Sequence, residues 1–174
     1  MIGLQGKTLR SARLTYRLLD DGDKAALAAL LTEKSVTAPA GFLPAASDAE
    51  FDAFFAQLTA YNTGVAVLCD GVLIGYIHVN RYRADLPELS EKSCVSTGFV
   101  IGEAYQRRGY GAEMLETLTK YLLEHFDACF ADCFEGNEAS MRTIEKCAYR
   151  YVESYTMFFD ELGEEKTCRS YVRT

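Results

Sequence analysis

Residues 98–113 read Gly98-Phe99-Val100-Ile101-Gly102-Glu103-Ala104-Tyr105-Gln106-Arg107-Arg108-Gly109-Tyr110-Gly111-Ala112-Glu113, and this stretch decides the fold. Cys94 to Ile101 is mostly apolar and predicts a strand. Gly109 to Phe126 carries Met114, Leu118, Tyr121, Leu122 and His125 near one face and predicts a long helix. Between them stands Gln106-Arg107-Arg108-Gly109-Tyr110-Gly111. The two glycines let the backbone turn tightly and approach a ligand with no Cβ in the way. The loop N–H groups and the unpaired N–H groups of the first helical turn converge there, at the positive end of the helix dipole. Arg107 and Arg108 add cationic donors. The pattern fits a phosphate or pyrophosphate cradle, with a glycine-containing turn and solvated arginines as the alternative.

Two other phosphate-binding patterns compete. A dinucleotide fingerprint needs G-x-G-x-x-G directly after the strand, but Met114 holds the third glycine's place and several residues separate strand from glycines. Asp132 does fall near the distance of a ribose-binding acid. The P-loop pattern is absent.

Outward from this segment, Ala128 to Cys133 is a short apolar run of the kind expected of a buried parallel strand. Asn137 to Cys147 predicts a final helix, and Tyr149 to Phe159 with Thr167 to Arg173 an antiparallel pair around Glu161 to Glu165. Toward the start, Val65 to Leu68 and Val72 to Val79 flank Asp70-Gly71, a two-residue hairpin signal. Arg10 to Leu19 predicts a first strand, and Asp20 to Asp23 supplies helix-start acids before Leu27, Leu30 and Leu31. Ser47 with Glu50 gives a capping box ahead of Phe51, Phe54, Phe55 and Leu58. Pro39, Gly41 and Pro44 predict a loop, as does the polar run Asn80 to Ser93. The order β-α-α-β-β-β-α-β-α-β-β describes a single α/β (α+β) domain over residues 1–174.

Composition narrows the function. The chain has 174 residues, no repeat, and a net charge of −7, without the basic face of a nucleic-acid binder. Its apolar runs are too short to span a bilayer and its start shows no signal-peptide pattern. Six cysteines include no C-x-x-C pair and only two histidines accompany them, which argues against a structural metal and for reduced thiols in a cytoplasmic setting.

Gln-Arg-Arg-Gly-Tyr-Gly resembles the acetyl-CoA signature Q/R-x-x-G-x-G/A of the GNAT N-acetyltransferase superfamily. Downstream, Asn137-Glu138-Ala139-Ser140 and Lys146-Cys147-Ala148-Tyr149 are similar to the N-x-x-S and K-x-G-F block of the RimJ/RimL branch, the ribosomal-protein N-acetyltransferases and their relatives. Arg13-Leu14-Thr15-Tyr16-Arg17 resembles that branch's opening strand, and Leu73-Ile74-Gly75-Tyr76 its mid-chain I-G strand. The resemblance implies a mixed, mostly antiparallel twisted sheet of about seven strands with helices on both faces. It also implies acetyl transfer from acetyl-CoA to a primary amine within a ternary complex, and a homodimer. A CoA-binding module without turnover is the alternative, motivated by Ser96, which stands where many relatives carry a carboxylate.

The resemblance also assigns residues. Backbone groups of Phe99, Val100 and Ile101 would hold the pantetheine arm and thioester carbonyl, and Gln106, Arg107, Arg108, Gly109, Tyr110 and Gly111 the pyrophosphate. Asn137 would contact the cofactor arm or only cap its helix. Ser140 would give a proton to the departing sulfur, unless it is only a solvated serine. The general base stays open between Glu103, His78 and a chain of waters. Tyr149 and Tyr151 would line the acceptor pocket or pack in the core. Cys133 and Cys147 lack a sequence-visible histidine partner for covalent catalysis, and acceptor selectivity would fall to the segments 35–46 and 80–93.

Overall fold

A computed structural model describes residues 2–41, 47–159 and 162–174. Among the described residues eight strands form one sheet in the order β1-β2-β3-β4-β5-β6-β8-β7. Every adjacent pair is antiparallel except β5 (Cys94–Ile101) with β6 (Ala128–Phe134). The helix α4 (Tyr110–Leu123) makes the crossover between those two strands, as parallel neighbours require. Strands β7 (Arg150–Phe159) and β8 (Glu164–Arg173) close the chain, and β8 is inserted between β6 and β7.

The first strand differs from expectation. Arg10 to Leu19 breaks into β1 (Leu9–Arg10) and β2 (Thr15–Leu18), with a turn closed by the Ser11 N–H donating to the Leu14 carbonyl at 2.9 Å. The hairpin of β3 (Gly64–Cys69) and β4 (Val72–Tyr82) turns at Asp70 and Gly71, both at positive φ (50° and 82°), as a two-residue turn needs. The strand β4 runs on through Tyr82, so the segment 80–93 is loop only in part.

Alternate residues of the strands feed two layers. Ile77, Val79, Val95, Cys129 and Ala131 pack with Met114 and Leu118 of α4 and with Met141 and Ile144 of α5 (Glu138–Lys146). Ala66, Tyr76 and Val100 pack on the opposite face with Leu27 and Leu30 of α1 (Lys24–Thr32) and with Phe55 and Leu58 of α3 (Asp48–Ala60). Ser47 Oγ caps α3 by accepting the Glu50 N–H at 3.2 Å.

Where a loop was expected from Pro39 and Gly41, the chain forms a short helix, α2 (Lys34–Ala40). Pro39 falls in its last turn and Gly41 ends it at φ 75°, so both breakers act at the boundary. Pro44 and the rest of 42–46 lie outside the described residues, as does Glu161 of the expected closing turn. Among the described residues no helix is long and apolar enough to cross a membrane.

Candidate active site

The parallel pairing of β5 and β6 stops early. It runs from Cys94 opposite Ala128 to Thr97 opposite Ala131, and the two strands then part. A cavity of ≈ 240 Å³ occupies the opening, with Gly98, Phe99, Asp132, Cys133, Asn137, Ser140 and Tyr155 on its walls. The ends of α2 (Pro39, Ala40) and β7 (Met157, Phe159) also reach it.

The alternation of an antiparallel ladder decides which backbone groups face the opening. Gly102 N–H donates to the Ile74 carbonyl at 2.9 Å, so that pair is hydrogen-bonded. Counting back along the β4–β5 register, Tyr76 with Val100 and His78 with Gly98 are hydrogen-bonded pairs too. Phe99 and Ile101 therefore turn N–H and C=O away from β4, toward the side β6 has left. Gln106 Nε2 donates to the Ile101 carbonyl at 3.0 Å, as that orientation requires. The backbone of Phe99 is aimed into the gap, whereas that of Val100 is used by β4.

Past the end of β5 the chain makes a turn at Glu103–Tyr105 and reaches the loop Gln106 to Gly111. Arg107 and Gly109 both take positive φ (59° and 80°), the left-handed turns from which concave runs of N–H groups are built. Gly109 caps α4 without a side-chain acceptor, so the first-turn N–H groups of Tyr110, Gly111 and Ala112 stay available. Gln106, Arg107 and Arg108 are exposed around this corner.

The loop is held from outside by Arg13, just ahead of β2. Arg13 Nη1 donates to the Arg108 carbonyl at 2.9 Å, Nε donates to Glu113 Oε2 at 2.7 Å, and the guanidinium lies 4.2 Å from the centre of the Tyr110 ring. Desolvation works against the Glu113 charge, but hydrogen bonds from Ser11 and from the backbone and side chain of Arg13 hold its carboxyl below the usual range. Read alone, Arg13 is one residue of a strand; nothing local in the sequence shows that it reaches the loop.

Asn137 Oδ1 accepts the Ser140 N–H at 3.1 Å, the capping geometry, and its Nδ2 donates to the Pro39 carbonyl at 2.8 Å. The amide thus ties α5 to α2 at the cavity. Ser140 and Cys133 line the same cavity. Burial pushes the thiols of Cys133 and Cys147 up to about 11, so both are protonated at neutral pH and neither is an activated nucleophile.

The expected bases are brought elsewhere. Glu103 accepts from the Ser35 hydroxyl at 2.7 Å, its N–H donates to the Glu33 carboxylate at 2.8 Å, and it does not line the cavity. His78 lines a different cavity, with Phe54, Gln57, Leu58, Tyr61 and Asn80, where burial lowers its pKa. Tyr149 is a core residue, its hydroxyl 2.7 Å from Thr119 Oγ1, and Tyr151 is half exposed on β7. Asp132, Tyr155 and Cys168 are titratable residues of the cavity that the sequence reading did not place there. Among the described residues no group of three or more histidine, cysteine or acidic side chains is arranged to hold a metal ion.

Residues 13–150 match the family model described as an acetyltransferase (GNAT) domain. No protein of curated function matches the sequence. Solved structures of similar fold include an acetyltransferase (GNAT family) from Bacillus anthracis, 20% identical over 95% of this chain and 97% of that one, with a TM-score of 0.77. The spermidine N-acetyltransferase from Vibrio cholerae, solved with CoA and spermine, is 15% identical over 94% and 96%, with a TM-score of 0.76. A candidate ribosomal-protein-serine acetyltransferase from Vibrio cholerae is 20% identical over 95% and 96%, with a TM-score of 0.71.

Proposed function

The chain belongs to the GNAT acetyltransferase family, and from that premise we propose that it transfers the acetyl group of acetyl-CoA to a primary amine in the gap between β5 and β6. The observation that carries this reading is the parting of those strands beyond Thr97 and Ala131, which leaves the Phe99 backbone facing a cavity. An unpaired strand edge in a cavity wall can hold an amide-bearing arm as a further strand would. The uncapped start of α4, reached through Arg107 and Gly109, supplies N–H groups and positive dipole for a diphosphate. The residues present therefore fit coenzyme A at both its polar arm and its diphosphate.

In this reading the Phe99 N–H donates to the carbonyl oxygen as charge develops on it. A donor so placed is worth on the order of 10²–10³ in rate. Ser140, in the first turn of α5, holds a hydroxyl ready to protonate the departing sulfur. Direct attack by the amine needs no covalent enzyme intermediate, in keeping with thiols of Cys133 and Cys147 that burial keeps protonated. The similar structures include a spermidine N-acetyltransferase and a candidate ribosomal-protein-serine enzyme, so small amine and peptide N-terminus both stand as acceptors. The RimJ/RimL branch rests on the opening Arg13 strand and the Asn137–Ser140 block.

The test is a ligand panel followed by turnover. CoA and acetyl-CoA should raise Tm while NAD and ATP do not; ligand at about 100 times Kd stabilises by roughly 2.7 kcal/mol. Amine-dependent thiol release from acetyl-CoA then establishes transfer. Binding of coenzyme without release for any amine would leave a CoA-holding module instead.

A further inference from the structure

We propose that Asp132, supported by Tyr155, receives the acceptor amine as its ammonium and takes the proton whose loss frees the nitrogen lone pair. This rests on the reading of the β5–β6 gap as the transfer site. Asp132 is the first residue of β6 beyond the last rung shared with β5, so it stands where the gap begins. Ala128 and Phe130 pack on the face away from α4 and α5, and alternation puts Asp132 on that same face. Across the gap is Gly98, where an added Cβ would meet nothing within 4 Å. Open space thus separates the carboxyl from β5 at the level of the Phe99 backbone, and all three residues line one cavity.

The charges around Asp132 point to a cationic occupant. Among the described residues no lysine, arginine or histidine pairs with it, although Glu135 is paired with Arg169 at 3.0 Å and Glu116 with Arg173. Its neighbours from the other strands are hydroxyls, thiols and acids. Tyr155 of β7 donates to Oδ2 at 3.4 Å, Ser170 faces it from β8, and Cys168 lies near. Glu153 is opposite Ser170 on β7, and Tyr82 of β4 feels the carboxylate. Asp132 is exposed at the cavity, yet the strands around it desolvate its carboxyl in part; aided by Glu153 and opposed by hydrogen bonds from Ser170 and Tyr155, this leaves the carboxyl above its ordinary value. That moves it toward the range in which a carboxylate accepts a proton from an amine most usefully.

The step balances. The ammonium gives one proton to Asp132, and the freed lone pair forms the bond from nitrogen to the acetyl carbon. The carbon–sulfur bond breaks with its electrons on sulfur, the second proton from nitrogen ends on that sulfur, and Asp132 returns its proton to water. Among the described residues no lysine, arginine or histidine lines this cavity. Lys166, whose ammonium lies 5.9 Å from the ring of the lining residue Phe134, is paired with Glu164 at 2.8 Å, which leaves the Asp132 carboxylate to attract the incoming ammonium.

Steady-state thiol release from acetyl-CoA with spermidine and with an alanine-initiated peptide, together with calorimetric CoA binding, tests the assignment. Asp132→Asn should lower kcat/KM about 100-fold or more at pH 7 while CoA affinity is unchanged. Its residual rate should climb with pH toward the amine's own pKa, whereas the wild type levels off once the carboxyl has ionised. Tyr155→Phe should lose only a few-fold and move the wild-type inflection upward, because it removes a donor that favours the charged form. An Asp132→Asn variant matching the wild type in rate and pH profile overturns the assignment alone. A wild type that binds CoA and releases no thiol with either amine overturns the transfer reading beneath it.

Discussion

The guanidinium of Arg13 donates to the backbone carbonyl of Arg108 at 2.9 Å, joining the edge of the sheet to the loop that precedes α4. The same side chain is paired with Glu113 on the first turn of that helix. A loop residue held at positive φ, Arg107, sits one position before the clamped carbonyl. In the proposed reading this clamp holds the loop in shape for the incoming coenzyme.

Arg13→Ala should therefore weaken coenzyme binding roughly tenfold, the scale of one lost charge-assisted hydrogen bond, through preorganisation and without removing a ligand contact. Calorimetric titration with CoA checks this. An unchanged Kd would mean the loop keeps its shape unaided.

Gly111→Asp probes the cradle itself. A Cβ at Gly111 meets only Thr143, at 3.7 Å, so the fold should tolerate the side chain. The new carboxylate would accept from the first-turn N–H groups and repel a diphosphate at the same corner. CoA affinity should fall on the order of 100-fold while Tm stays near wild type, two decades being about 2.8 kcal/mol.

Two strand glycines should behave oppositely. At Gly75 a Cβ would lie 2.5 Å from the Val100 carbonyl oxygen, a backbone atom that cannot step aside, so Gly75→Ala should cost roughly 1–3 kcal/mol of stability. At Gly98 a Cβ meets nothing within 4 Å. Gly98→Leu should keep or raise stability and yet abolish turnover by filling the cavity. Thermal denaturation beside an activity assay separates the two effects.

His78 gives a pH test. Burial lowers its folded-state pKa below the ordinary 6.5, so between those values the unfolded chain binds more protons. Its effect on stability is therefore absent above about pH 6.5 and increasingly unfavourable below it. Urea denaturation should show the wild type losing stability faster than His78→Gln as pH falls from about 7 to 5. Parallel curves would place His78 in water.

The decisive segment was legible because each of its features is local. A strand, two glycines and an amphipathic helix announce themselves by neighbouring residues, as do the Asp70-Gly71 turn and the Ser47 cap. What stayed hidden depends on distant pairing. The apolar run Ala128 to Cys133 reads as a buried strand, and nothing in it shows that β5 departs after Ala131 and leaves Asp132 on a cavity wall. The insertion of β8 between β6 and β7, which brings Tyr155 to that carboxyl, is likewise set by sheet order alone. Glu103 and His78 were attractive by chemistry, yet Ser35 and Glu33 engage the first and the neighbourhood of α3 buries the second. Lys34–Ala40 is too short for its helical period to outweigh Pro39 and Gly41.

Amide hydrogen exchange with and without saturating acetyl-CoA reaches the central claim most directly. Exchange should slow at Phe99 and across Tyr110 to Ala112, while Val100, already paired with Tyr76, stays as it was. Bound coenzyme that leaves Phe99 and the start of α4 exchanging at their free rates would contradict the account.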